Sequence, residues 1–215
     1  SPTGTDERPA HGGAGSSARQ IDDRSRSTDR LSGSSEAVLP DHTAPTDDFH
    51  ISTVIDGLDQ PTEVTFLPDG RMLVIDKAGE VLIVNESGGS VASDTYLTLS
   101  NVNATGERGL VGITLDPNFS SNGYLYLYYT NESSGQPFAR ISRFTHQEGS
   151  GGVSSTADPS SEFVVWQNPN PSLHPSHIGG GLDIGPDGKL YLTTGDGHNA
   201  SQAQDLGKAD GKVIR

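Results

Sequence analysis

Residues His177 to Gly197 read HIGGGLDIGPDGKLYLTTGDG, and this stretch decides how the chain folds. Its centre, Pro186-Asp187-Gly188, is turn chemistry: proline presets φ and glycine supplies the positive φ of a tight turn. Leu182-Asp183-Ile184 on one side and Leu190-Tyr191-Leu192-Thr193-Thr194 on the other are rich in residues that suit a pleated, half-buried surface. The pattern predicts a β-hairpin. Folded about Asp187, the hairpin returns its two ends to one another, since His177 lies ten residues before the turn centre and Asp196 nine after it. An imidazole and a carboxylate are then delivered side by side. Gly179-Gly180-Gly181, Gly195 and Gly197 flank them and let backbone or ligand approach closely. A carboxylate beside a histidine fixes its tautomer and stabilises its charged form, as a general base requires. A loop histidine beside a turn aspartate would carry the same letters. His174 and His198 add two nitrogen donors to His177 and Asp196, so a metal site is a further reading of this hairpin. The irregular Pro-containing loop around His174 leaves that geometry open.

Outward from the hairpin, the same unit recurs. Val64-Thr65-Phe66-Leu67 runs into Pro68-Asp69-Gly70 and out through Met72-Leu73-Val74-Ile75. Gly112-Ile113-Thr114-Leu115 runs into Asp116-Pro117-Asn118 and a looser turn at Ser120–Gly123, then out through Tyr124–Thr130. Further strands are expected at Phe49–Ile55, Val81–Val84 and Arg140–Phe144, and a last one in Gly211–Arg215. No segment shows a helical period. Pro68, Pro117 and Pro186 are 49 and 69 residues apart, the longer interval containing a Gly/Ser-rich insert at Glu148–Pro159. A repeat of several strands every 40–50 residues or so predicts an all-β propeller rather than a sandwich. Glu107, His177 and Asp59 lie nine or ten residues before the turn prolines. Equivalent hairpins would therefore place all three at the same strand end, with Glu107, His177 and Asp196 facing one funnel.

Composition narrows the partners. The 215 residues carry Lys+Arg 14 against Asp+Glu 28, a formal net charge of −14, and no cysteine. An acidic chain is a poor match for nucleic acid, whose binding needs a basic surface. No disulfide framework or cysteine-ligated metal is available, and no apolar run approaches the ~18 residues of a membrane span. Four lysines against ten arginines, with abundant acid, would suit a high-salt environment that screens self-repulsion; an ordinary acidic protein has the same composition. Residues 1–48 hold only scattered apolar residues and are expected to form a disordered polar leader ahead of the domain at 49–215. At about 45 residues per blade, that domain supplies three to four blades. The expectation is the N-terminal part of a longer ring, inactive by itself and with unpaired sheet edges.

The ordered motifs GERGLVGITLDPNFSSNGYLYLYYT, RISRF, HIGGGLDIGPDGKLYLTTGDG and GKVIR resemble the soluble glucose/sorbosone dehydrogenases, with the aldose sugar dehydrogenases among them. GLDQPTEVTFLPDGRMLVIDKAGEVLIV is similar to that family's first blade, so the resemblance covers about residues 51–215. It implies a six-bladed β-propeller that uses pyrroloquinoline quinone (PQQ) to oxidise an aldose and passes the electrons to an external acceptor. His177 matches the base that takes the proton of the anomeric hydroxyl while a hydride passes to the quinone. Asp196 matches the carboxylate that orients this histidine. Glu107 falls where the glucose enzymes carry a glutamine near the cofactor, a departure because an ionised carboxylate only accepts hydrogen bonds. The family's Arg-Asn cofactor contacts and its Ca²⁺ ligands would lie beyond Arg215. An exported location is implied as well. Hedgehog-interacting proteins share the strand motifs without dehydrogenase activity, which keeps a binding module as the alternative.

Overall fold

In the computed structural model, which describes residues 51–133, 135–171 and 174–215, the repeated turns have one hydrogen-bond pattern. Gly70 N–H donates to Leu67 O at 2.9 Å and Leu67 N–H to Arg71 O at 2.7 Å; Gly188 N–H donates to Gly185 O and Gly185 N–H to Lys189 O, both at 2.9 Å. Gly70 and Gly188 have φ of 91° and 71°, a region that side-chain-bearing residues rarely adopt. The turn sequence thus sets the hairpin at both places.

Strands β1 (Pro61–Phe66), β2 (Met72–Asp76), β3 (Glu80–Ser87) and β4 (Ser90–Thr98) form one antiparallel sheet in chain order. Strands β5 (Leu110–Leu115), β6 (Tyr124–Asn131), β7 (Phe138–Gln147) and β8 (Thr156–Gln167) form the second. The short helix α1 (Phe119–Asn122) fills the loose turn between β5 and β6. Strands β9 (Gly179–Ile184), β10 (Leu190–Thr194) and β11 (Val213–Ile214) form the third sheet, with helix α2 (Ala200–Gln204) between the last two. The hairpin read from the sequence is β9–β10, with Leu190 opposite Ile184 and Tyr191 opposite Asp183. The domain is all-β, as expected, and consists of three small antiparallel sheets. Among the described residues no helix is long and apolar enough to cross a membrane.

Period-2 alternation in β6 explains the packing. Leu125, Leu127 and Tyr129 join a core with Leu73, Ile75, Val81, Ile83, Leu97 and Phe144. Tyr128, with Tyr126 partly buried beside it, joins a second core with Ile141, Ile178, Leu182 and Leu192. The middle sheet is therefore covered on both faces, and each fully buried leucine contributes roughly 1.5–3 kcal/mol. The leading strands are also tied across the sheets. Thr62 Oγ1 donates to Leu110 O at 2.8 Å, and Ile113 N–H donates to Glu63 Oε2 at 2.9 Å. Burial pushes the Glu63 carboxyl above its ordinary value.

A polar latch joins the first two sheets at their turn ends. The Arg71 side chain is only 8% exposed and pairs with Asp69 at 2.6 Å and Glu148 at 3.1 Å. Its guanidinium also donates to Ser155 Oγ at 2.7 Å. His146 lies between Tyr96 OH, at 2.8 Å from Nδ1, and Glu148 Oε2, at 2.9 Å from Nε2. The hydrogen bond from Arg71 holds Asp69 below the usual carboxylate range. His146 first, then Ser155 and Arg71, do the same for Glu148. Because both folded-state values are depressed, this stabilisation is complete above the unfolded values near pH 4 and is lost as pH falls through the folded ones. Arg71→Met is expected to cost about 1–3 kcal/mol, less than for a fully buried pair because both carboxylates are half exposed. It should also flatten the acid limb. Urea unfolding from pH 6 to pH 2.5 measures both, and an unchanged acid limb in the variant would contradict the latch.

Two readings need correction. Of the strand expected at Phe49–Ile55, the described part, Ile51–Ile55, is irregular; Ile51 and Val54 are 45% and 40% exposed, and among the described residues no strand pairs with it to make a ladder. Conversely, β8 runs through Asp158-Pro159 inside the segment read as an insert. Among the described residues it pairs with β7 alone and has a register shift opposite Arg143/Thr145, the edge-and-bulge setting in which a strand accepts proline. The single-turn helices α1 and α2 left no periodic signal because one turn is too short to have one. The leader expected over residues 1–48 lies outside the described residues.

Candidate active site

The ends of β9 and β10 approach so closely that only a missing side chain permits it. A Cβ on Gly195 would lie 1.7 Å from His177 O. His177 itself has a left-handed backbone, φ 58°, held between Glu107 on one side and the buried Ile178 on the other. Tyr128 OH donates to Ile178 O at 3.1 Å, so the middle sheet fixes the backbone next to the histidine. A non-glycine residue at positive φ costs about 1 kcal/mol or more, and such strain gathers at functional sites.

Within this frame His177 Nδ1 lies 2.8 Å from Asp196 Oδ1. The same carboxylate oxygen accepts the His198 N–H at 3.0 Å, and Gly197 N–H donates to His177 O at 3.2 Å. The hydrogen bond from His177 holds Asp196 below its ordinary value, with the His198 N–H adding to it. An ionised Asp196 only accepts, so Nδ1 must donate, which leaves the lone pair of a neutral ring on Nε2. The His177 side chain is 52% exposed and that of Asp196 26%. This is a histidine with its tautomer fixed and its ring open to a ligand.

Glu107, in the loop before β5, closes the group. Its carboxylate accepts the His177 main-chain N–H at 2.6 Å, and its own N–H donates to Pro175 O at 2.7 Å. Two loops from neighbouring sheets thus hold each other reciprocally. All three residues singled out in the sequence, Glu107, His177 and Asp196, meet here. Asp59 precedes β1 at the same end, next to Gln60, whose carbonyl accepts the Lys77 N–H at 2.9 Å. Lys77 was missed by sequence reasoning: its ammonium donates to Gly106 O and so brings the first sheet to the group. A lysine in a turn after a strand carries no local sign of that contact.

The histidines do not gather as metal ligands. The His174 and His198 rings stack with centroids 4.4 Å apart, and the His177 and His198 rings lie 5.0 Å apart. Stacked faces do not aim their in-plane nitrogens at one point. Among the described residues no group of three or more His, Cys, Asp or Glu side chains is arranged to hold a metal ion.

Comparison with known proteins places the chain among relatives. Residues 58–215 match the family model described as Glucose / Sorbosone dehydrogenase. The human Hedgehog-interacting protein is 30% identical over 181 residues, covering 78% of this chain and 25% of that protein. Quinoprotein glucose dehydrogenase B of Acinetobacter calcoaceticus is 28% identical over 162 residues, 71% of this chain and 32% of its own length. Among solved structures, the PQQ-bound aldose sugar dehydrogenase of Streptomyces coelicolor superposes with a TM-score of 0.65 at 28% identity, over 76% of this chain and 46% of that one. The chain thus spans from about a quarter to just under half the length of these relatives.

Proposed function

The chain belongs to the glucose/sorbosone dehydrogenase family, and from that premise we propose that it forms part of a PQQ-dependent sugar dehydrogenase with a six-bladed propeller. The observation that carries the reading is the His177 Nδ1–Asp196 Oδ1 pair at 2.8 Å, placed where three sheets meet. The stacking of the sheets in chain order, and the likeness to the Streptomyces enzyme, support the ring.

Among the residues present, the imidazole of His177 fits the cofactor in kind. His177 presents an exposed ring edge with a fixed tautomer, and Glu107 and Asp196 border it. When bound, PQQ supplies a quinone carbonyl that accepts the hydride from the anomeric carbon of the sugar. His177 Nε2 takes the proton of the anomeric hydroxyl. Asp196 keeps the proton on Nδ1 beforehand and stabilises the imidazolium afterwards. Glu107 holds the His177 backbone in its left-handed conformation, so its carboxylate serves to position the base as well as border the cofactor. For Ca²⁺ the described residues offer no ligand set, and none is assigned to them. An aldose substrate, an external electron acceptor and an exported location belong to the same reading.

A second reading has its own observation, the 30% identity to the human Hedgehog-interacting protein, and would make the domain a binding module. Titration of the full-length protein with PQQ and Ca²⁺, followed by dye-linked oxidation of aldoses, separates the two. Saturable PQQ binding with sugar-dependent dye reduction is expected. Failure to bind PQQ at any Ca²⁺ concentration would leave the binding module.

A further inference from the structure

The loop from Gly195 to Gly211 carries Asp196 and His198 but has little apolar burial to hold it. Helix α2 buries no side chain, and Leu206 is 94% exposed. Hydrogen bonds close the loop at its neck instead. Thr194 N–H donates to Lys212 O at 2.9 Å, Lys212 N–H to Thr194 Oγ1 at 3.0 Å, and Gly211 N–H to Gly195 O at 2.9 Å. From that neck the Lys212 side chain reaches inside. Its ammonium donates to Gln202 O and Ala203 O, both at 3.0 Å, and to Asp210 O at 2.8 Å.

An ammonium has three N–H donors and no acceptor, so these three carbonyls match its donors one for one. Two of them belong to α2, a helix so short that most of its carbonyls have no partner four residues on. A positive charge is also favoured at a helix C-terminus. Helix α2 is joined directly to the site: Gln202 N–H donates to Asn199 O and Asn199 N–H to Asp196 O, both at 3.0 Å. His198 N–H holds Asp196 Oδ1, the oxygen that faces His177. Any displacement of α2 is therefore passed to the carboxylate within three residues.

We infer that Lys212 is a positioning residue for the His177–Asp196 pair: anchored at the head of β11, its ammonium fixes α2 and, through α2, the Asp196–Asn199 turn that aims the carboxylate. A lysine that merely stabilised the fold would change melting without changing this pair. The geometry itself does not depend on the proposed reaction; only the kinetic consequence rests on that reading.

The test uses the full-length protein with Lys212→Ala, Lys212→Met and Lys212→Arg. The first readout needs no cofactor: the downfield proton resonance of His177 Nδ1–H, assigned by its absence in His177→Phe, and amide exchange at His198 and Asn199. Lys212→Ala is expected to lose the resonance and to speed exchange about tenfold to a hundredfold, the factor carried by a lost charge-assisted hydrogen bond. Ammonium chloride should restore both and sodium chloride should not. Lys212→Arg should fall short, because a planar guanidinium does not match three carbonyls grouped around one nitrogen. If Lys212→Ala does not fold, Lys212→Met, which keeps most of the apolar stem, carries the same readouts. A resonance that persists in either variant overturns the inference, as does ammonium that restores melting without the resonance. In PQQ-loaded protein kcat should fall with the resonance while KM stays constant. Loss of the resonance with undiminished sugar oxidation supports the positioning role and counts against His177 as the base.

Discussion

Alanine at position 177 is expected to lower sugar turnover of the full-length, PQQ-loaded protein about 10²–10⁴-fold, the usual worth of a positioned general base. Binding of PQQ should be nearly unchanged. His177 Nδ1 is occupied by Asp196 at 2.8 Å, so Nε2 alone is left to take a proton, which in the proposed reaction it would do as the anomeric hydroxyl ionises. An interaction made chiefly in the transition state lowers kcat and kcat/KM together. Asp196→Asn probes the other half of the pair. An amide can donate to Nδ1, which favours the tautomer that carries its proton on Nε2 and so removes the base. Its loss should approach that of His177→Ala. Steady-state kinetics with cofactor binding measured alongside decides the matter, and a kcat unaltered in His177→Ala rules the assignment out.

Gly195→Ala is expected to be the most disruptive single substitution in the third sheet. The new Cβ would stand 1.7 Å from His177 O, 2.1 Å from His177 C and 2.9 Å from Ile178 N. All three are backbone atoms, so no flexible side chain can move aside. The ends of β9 and β10 would have to separate, taking the Gly211 N–H···Gly195 O bond and the His177–Asp196 contact with them. A cost of about 3–5 kcal/mol places it among the severe substitutions with a named steric cause. Chemical denaturation gives the loss of stability, and the His177 Nδ1–H resonance reports the contact in whatever fraction still folds. Native stability with the resonance intact would show that the two strands approach each other less closely than described.

The hairpin and its repeats were legible because their information is local. Pro-Asp-Gly at residues 68–70 and 186–188 sets the turn by the φ it permits, and period-2 alternation in Tyr124–Asn131 assigns one face to each core. Asp196 opposite His177 followed from counting residues on either side of such a turn. Where the local signal was weak or misleading, the reading failed. Asp158-Pro159 looks like a loop and lies in an edge strand, whereas Ile51–Ile55 alternates and, among the described residues, has no strand to pair with.

By itself, then, the sequence determined the turns, the strands that alternate, and the delivery of His177 and Asp196 to one end of a hairpin. The tertiary structure alone decided which loops meet there. Glu107 clasps a histidine 70 positions away in the chain, Lys77 reaches Gly106 from the first sheet, and the His198 ring stacks on that of His174 and lies tilted against that of His177. The physical reason is one of range. Backbone preference and alternation act over two to four residues, while contacts between sheets follow from how buried faces stack, which depends on every strand in both sheets at once.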